Sequence, residues 1–103
     1  MIDTVAIINQ VFELQSRLAG TGSGSAFERN FNRLFHIFEE GGYLVQDPTG
    51  EPYNESRTDC EVSVSGRIGP KLTITRTIKP IIYLRKDGQM QLLQKAIAIA
   101  ENS

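Results

Sequence analysis

Apolar residues recur at spacings of three and four near the start of the chain. Ile7, Val11, Leu14 and Leu18 form one stripe, which predicts an amphipathic helix over Ile2–Ala19. Val5, Ile8 and Phe12 mark an adjoining face, so the apolar surface is wider than one partner helix would cover, and two neighbours are implied. Gly20-Thr21-Gly22-Ser23-Gly24 then interrupts the pattern as a flexible connector. Ser25, with Glu28 three residues on, has the form of a capping box. Phe27, Phe31, Leu34, Phe35 and Phe38 continue as the stripe of a second helix, which Gly41-Gly42 closes.

Beyond Gly42 the chain leaves helical spacing. Asp47-Pro48-Thr49-Gly50 has the residues of a type I turn, with an Asx acceptor first, proline second and glycine fourth. The period then becomes two. Val62 and Val64 alternate with serines, and Leu72, Ile74 and Ile78 alternate with threonines and Arg76, predicting strands exposed on one face. Gly66 and Gly69-Pro70 separate these strands, and Asp87-Gly88 favours a two-residue type I′ hairpin. Pro80 calls for a sheet edge or a break between Ile78 and Ile81. A last strand is expected from about Leu92 to Ala100, with Leu93, Ile97 and Ile99 buried and the alanines at 96, 98 and 100 keeping it narrow. The fold class that follows is α+β: a two-helix unit over residues 1–42, then a small β domain over 43–103. The wide apolar surface of the first helix and the aromatic stripe of the second predict a symmetric dimer. Its four-helix bundle would bury Val5, Ile8, Val11, Phe12, Phe31, Leu34, Phe35 and Phe38.

Composition narrows the functional classes. At 103 residues the chain supports one domain that buries about two-thirds of its unfolded surface, so a second subunit would help its core. Eleven basic and twelve acidic residues, a formal net charge of −1, lack the basic field of a dedicated nucleic-acid binder. One cysteine permits neither an internal disulfide nor a multi-thiolate zinc site, which points to a reducing compartment and hence the cytoplasm. Met1 to Gln15 carries Asp3, Asn9 and Glu13 and reads as neither signal peptide nor membrane span.

Candidate chemistry is sparse. His36 and Cys60 are the one conceivable cysteine–histidine nucleophile pair, but nothing in their positions brings them together, and Cys60 reads as a small half-buried residue at a strand start. Asp47, Glu51, Glu55, Asp59 and Glu61 could invite a hard cation. Their spacing lacks the positions of a calcium loop, and a solvated acidic loop with Arg57 as counter-charge is the plainer reading. The glycines from 20 to 24 lack the Gly-Lys-Ser/Thr of a phosphate loop and read as a hinge. No enzyme, metal or cofactor is expected.

In order, the segments Phe38-Glu39-Glu40-Gly41-Gly42, Gly50-Glu51-Pro52-Tyr53-Asn54-Glu55, Asp59-Cys60-Glu61-Val62, Thr77–Leu84 and Leu93–Ala100 resemble the C-terminal two-thirds of the GrpE family, nucleotide exchange factors of DnaK-type chaperones. The Gly-Glu-Pro-Tyr run is the most specific element. No counterpart of the family's long paired N-terminal helix is present, the family's histidine is replaced near Asp59 and Cys60, and its arginine before the last strand falls near Gln91 or Gln94. The resemblance implies a homodimer that grips a chaperone's nucleotide-binding domain and promotes ADP release. Arg76, Lys79, Tyr83, Arg85, Gln91 and Lys95 on the strand region are the expected contacts. A divergent adaptor that keeps the scaffold and binds another protein is the alternative, and a small hydrolase or metal-dependent enzyme using the acidic loop is a third.

Overall fold

The computed structural model describes residues 2–67 and 69–102; Met1 and Ser103, the outermost positions of the two regions read from the sequence, lie outside them. Helix α1 spans Thr4–Gly20 and helix α2 spans Gly24–Glu40. Asp3 sets the start of α1, its side chain accepting from the Ala6 N–H at 3.0 Å, so Ile2 lies outside the helix and is exposed. At the other end Ser23 N–H donates to the Leu18 carbonyl and Gly22 N–H to that of Ala19, a Schellman closure. This closure leaves only Ser23 before α2, so Ser25 already sits inside the first turn and the expected capping box is not formed; Ser23 itself makes no side-chain cap.

Seven strands follow: β1 Tyr43–Gln46, β2 Pro52–Tyr53, β3 Cys60–Ser65, β4 Leu72–Lys79, β5 Ile81–Lys86, β6 Gln89–Gln94 and β7 Ala96–Asn102. They form two sheets. One is antiparallel in the order β1-β5-β6; the other runs β2-β4-β7-β3, with β3 and β7 parallel. Asp87 and Gly88 take φ values of 54° and 75°, the left-handed pair that a type I′ turn needs between β5 and β6. The earlier turn differs from expectation. Glu51 N–H donates to the Pro48 carbonyl at 3.0 Å with Gly50 at φ 90°, so a type II turn begins at Pro48. Asp47 instead accepts from the Thr49 N–H at 3.0 Å, while the Gly50 N–H is claimed by Ile74 across the sheet.

Pro80 carries the chain from β4 in one sheet to β5 in the other, the break expected between Ile78 and Ile81. The expected final strand Leu92–Ala100 is two strands. The hairpin ties residues 89–94 to β5, whereas 96–102 slot between β3 and β4, and Lys95 is the corner. The inward parity reverses accordingly: Ala96, Ala98 and Ala100 are buried, while Leu93 and Ile97 are exposed and Ile99 is half-buried. Only small side chains fit there, because Cys60, Ile74 and the facing Ile81 fill the same core. On β4, register shifts after Ile74 and Thr77 turn Thr77 inward and leave Ile78 exposed, against the simple alternation read from the sequence.

The helices rest on the three-stranded sheet and on β4, with α2 against β1. Asn9 of α1 and Gln94 of β6 exchange two amide hydrogen bonds of 2.8 Å, and Gln94 also donates to the Pro80 carbonyl at 2.9 Å. Ile8 and Phe12 of α1 and Phe31 of α2 are buried. Among the described residues no helix is long and apolar enough to cross a membrane.

Candidate interaction surfaces

The six residues expected to meet a partner are spread over several faces. Arg76 and Lys79 of β4 lie opposite Ile99 and Ile97 of β7 on the face turned away from the alanine core. They line a groove of about 260 Å³ against Asn9, Glu13 and Arg17 of α1. Tyr83 turns the other way, packing on the core cluster of Cys60, Ile74 and Ile81, so it is half-buried and poorly placed for contact. Arg85 pairs with Met90 at the exposed end of β5, while Gln91 pairs with Leu84 on the opposite face of that sheet. Lys95 occupies the corner between β6 and β7. The structure brings Arg76 and Lys79 together and separates the rest.

Of the residues expected to form a dimer bundle, Ile8, Phe12 and Phe31 are closed off within the chain's own core, and Val5, Val11, Phe35 and Phe38 are half-buried; Leu34 is exposed. The apolar side chains that remain outside share only Leu34 with that set. Ile7 and Leu14 on α1 are 43% and 55% exposed, and Phe27, Leu34 and Ile37 on α2 are 46%, 37% and 49% exposed. Ile7, Val11, Leu14 and Leu18 follow spacings of four, three and four, and so do Phe27, Phe31, Leu34 and Phe38, the spacing of a coiled-coil seam. The sequence carried this signal in its first stripe; what it could not say is which of two adjoining stripes the sheets would cover.

The acidic loop is held by Arg57. Its guanidinium bonds Asp59 at 2.6 Å and Glu51 at 2.8 Å and donates to the Pro52 carbonyl at 3.2 Å. The bond from Arg57 holds the Asp59 carboxyl below its ordinary value, and that bond likewise raises the guanidinium's own pKa. Burial, helped by the hydrogen bond to Asp59, pushes the Cys60 thiol up to about 11, which makes it a poor nucleophile at neutral pH. His36 is exposed on α2, its Nε2 3.5 Å from Glu40, so histidine and cysteine serve different surroundings. Among the described residues no three His, Cys, Asp or Glu side chains gather in a metal-binding arrangement.

Comparison with protein-family models, with curated proteins and with solved structures gives no match.

Proposed function

We propose that this chain acts by binding other proteins, as a homodimer joined through its helical hairpin and presenting its β sheets to a partner. The observation that carries the reading is the apolar set Ile7, Leu14, Phe27, Leu34 and Ile37, left exposed on the helices while Ile8, Phe12 and Phe31 are buried. Ile7 with Leu14 and Phe27 with Leu34 are exposed pairs seven residues apart on two adjacent helices, a coiled-coil repeat that favours a second helical pair, and a four-helix bundle is the simplest cover. The bundle contacts are therefore reassigned from Ile8 and Phe12 to these outer residues. Light scattering on the purified chain tests this: a mass of one chain at tens of micromolar would sink it.

The finer proposal is a GrpE-like co-chaperone in the cytoplasm that binds the nucleotide-binding domain of a DnaK-type chaperone and speeds ADP release. Its support is the ordered sequence resemblance from Gly42 to Ala100, together with two helices followed by a small β unit. Such a factor works by binding the open state more tightly, each tenfold preference being about 1.4 kcal/mol of coupling. Stopped-flow release of labelled ADP decides it, and no acceleration at saturating protein rejects exchange activity. The dispersal of Arg76, Lys79, Tyr83, Arg85, Gln91 and Lys95 over several faces favours a second reading, an adaptor that keeps the scaffold and uses a smaller contact around Arg76 and Lys79.

A further inference from the structure

Arg76 and Lys79 stand three residues apart on β4, and in a regular strand that spacing sends two side chains to opposite faces. The bulge between Thr77 and Lys79 cancels the difference. Arg76 falls opposite Ile99 and Lys79 opposite Ile97, two residues apart on β7, so both cations stand on one face about 7 Å apart. Across the groove, Glu13 and Arg17 follow Asn9 at i+4 and i+8 on α1, about 12 Å of helix. The groove therefore runs lengthwise between helix and strand.

Two of its neutral polar side chains are already engaged. Asn9 exchanges amide hydrogen bonds with Gln94, and the Thr77 hydroxyl lies 2.8 Å from that of Thr49. Beyond Gln10, what is left to recognise a ligand is charge: Arg17, Arg76 and Lys79 against the single carboxylate of Glu13, which Arg17 holds at 3.2 Å. Both Arg76 and Lys79 are exposed, and neither forms an ion pair among the described residues. On a chain whose formal net charge is −1, this groove is locally cationic.

We propose that the groove receives an extended, acidic segment of a partner protein, with carboxylates at alternate positions. Such a segment is the partner of the adaptor reading above, on which this assignment rests. An extended chain repeats its side chains on one face every two residues, about 7 Å, the spacing at which the bulge sets Arg76 and Lys79. Opposite charge then selects the partner more than it tightens the complex. Ile78, 49% exposed in the same groove, gives an apolar neighbour of those carboxylates a surface to cover, which a free anion would leave wet. A nucleic acid would need the broad basic field that this chain lacks.

Fluorescence anisotropy on the full chain tests this with three labelled peptides in which Glu, Gln or Lys alternates with valine. The Glu peptide should bind and should weaken as salt rises, while the other two should not bind. Arg76→Gln and Lys79→Gln should each weaken it by up to about fivefold, and Arg76→Glu with Lys79→Glu should abolish it. Glu13→Gln should tighten binding by removing a like charge, and Arg85→Glu, on the other sheet, should leave it unchanged. Binding that survives the double reversal overturns the inference, since the peptide then sits elsewhere. A Gln or Lys peptide bound as tightly as the Glu peptide overturns the acidic partner; its loss in Ile78→Asp keeps the groove as the adaptor's contact, and its persistence there rejects that contact too. No binding by any of the three rejects both. The substituted side chains are all exposed, circular dichroism checks the fold, and Arg76→Gln with Lys79→Gln replaces a double reversal that does not fold.

Discussion

The helical hairpin and the paired sheets divide burial unequally. Across α1 and α2 the buried side chains are Ile8, Phe12 and Phe31, whereas the sheets close off Cys60, Ile74, Ile81, Ile82 and three alanines. Both regions leave apolar side chains outside, Val64, Ile78, Met90, Leu92, Leu93 and Ile97 on the strands and Ile7, Leu14, Phe27, Leu34 and Ile37 on the helices; what sets the β unit apart is the larger core that it closes. Stability is therefore expected to reside mainly in the β unit, while the helices carry the dimer contact proposed above, and substitutions in the two regions should report on different measurements.

The strongest way to break this contrast is Ile74→Ala, which empties the middle of the inter-sheet core at a position with no exposure. The expected cost is about 3 to 4 kcal/mol, a large part of the 5–15 kcal/mol typical of a small domain, read as a drop in urea midpoint. A change below about 1 kcal/mol would mean that the core lies elsewhere.

Next is Arg57→Ala, which strands Asp59 and Glu51 and should cost about 2 kcal/mol at neutral pH, since charge-assisted hydrogen bonds are lost. Its pH dependence has a fixed sign. The Asp59 carboxyl is held below its ordinary value of 3.8 in the folded chain, so its contribution is fully present above that value and disappears as pH falls through the lower folded pKa. Melting curves of wild type and variant should converge in acid; parallel curves would show that Arg57 acts through packing alone.

Asn9→Ala removes the paired amides that tie α1 to Gln94 and should cost about 1 kcal/mol, seen as faster amide exchange along α1 than within β4 and β7. Equal acceleration in both regions would erase the contrast between them. The smallest effect on unfolding of a dilute chain belongs to Leu14→Glu with Leu34→Glu, within about 0.5 kcal/mol as for other surface changes. What these should weaken is the rise of melting temperature with protein concentration. At alkaline pH, Cys60 adds a last check: with its thiol raised from 9.0 to about 11, stability present below pH 9 should fall as pH rises through that interval, and Cys60→Ser should flatten this limb.

Much of this division was legible in the residues. Both helices, the hairpin at Asp87-Gly88 and the break at Pro80 follow from local rules that hold wherever the segment ends up. The parity of β4 and the splitting of the last strand were not legible, because bulges after Ile74 and Thr77 and the corner at Lys95 arise from neighbours distant in sequence. Nothing local announces that β3 lies parallel to β7. The candidate contacts fared likewise: Arg57 was recognisable as the counter-charge of its loop, since its partners lie within six residues, but Tyr83 faces the core for reasons set by the opposing sheet.

Strand β7 sits between β3 and β4 and hydrogen-bonds to both. During synthesis β3 and β4 leave the ribosome with no shared neighbour, and they wait exposed until Ala96–Asn102 has cleared the exit tunnel. A message cut short before Ala96 would release a polypeptide with two orphaned strand edges, a natural target for chaperones and proteases.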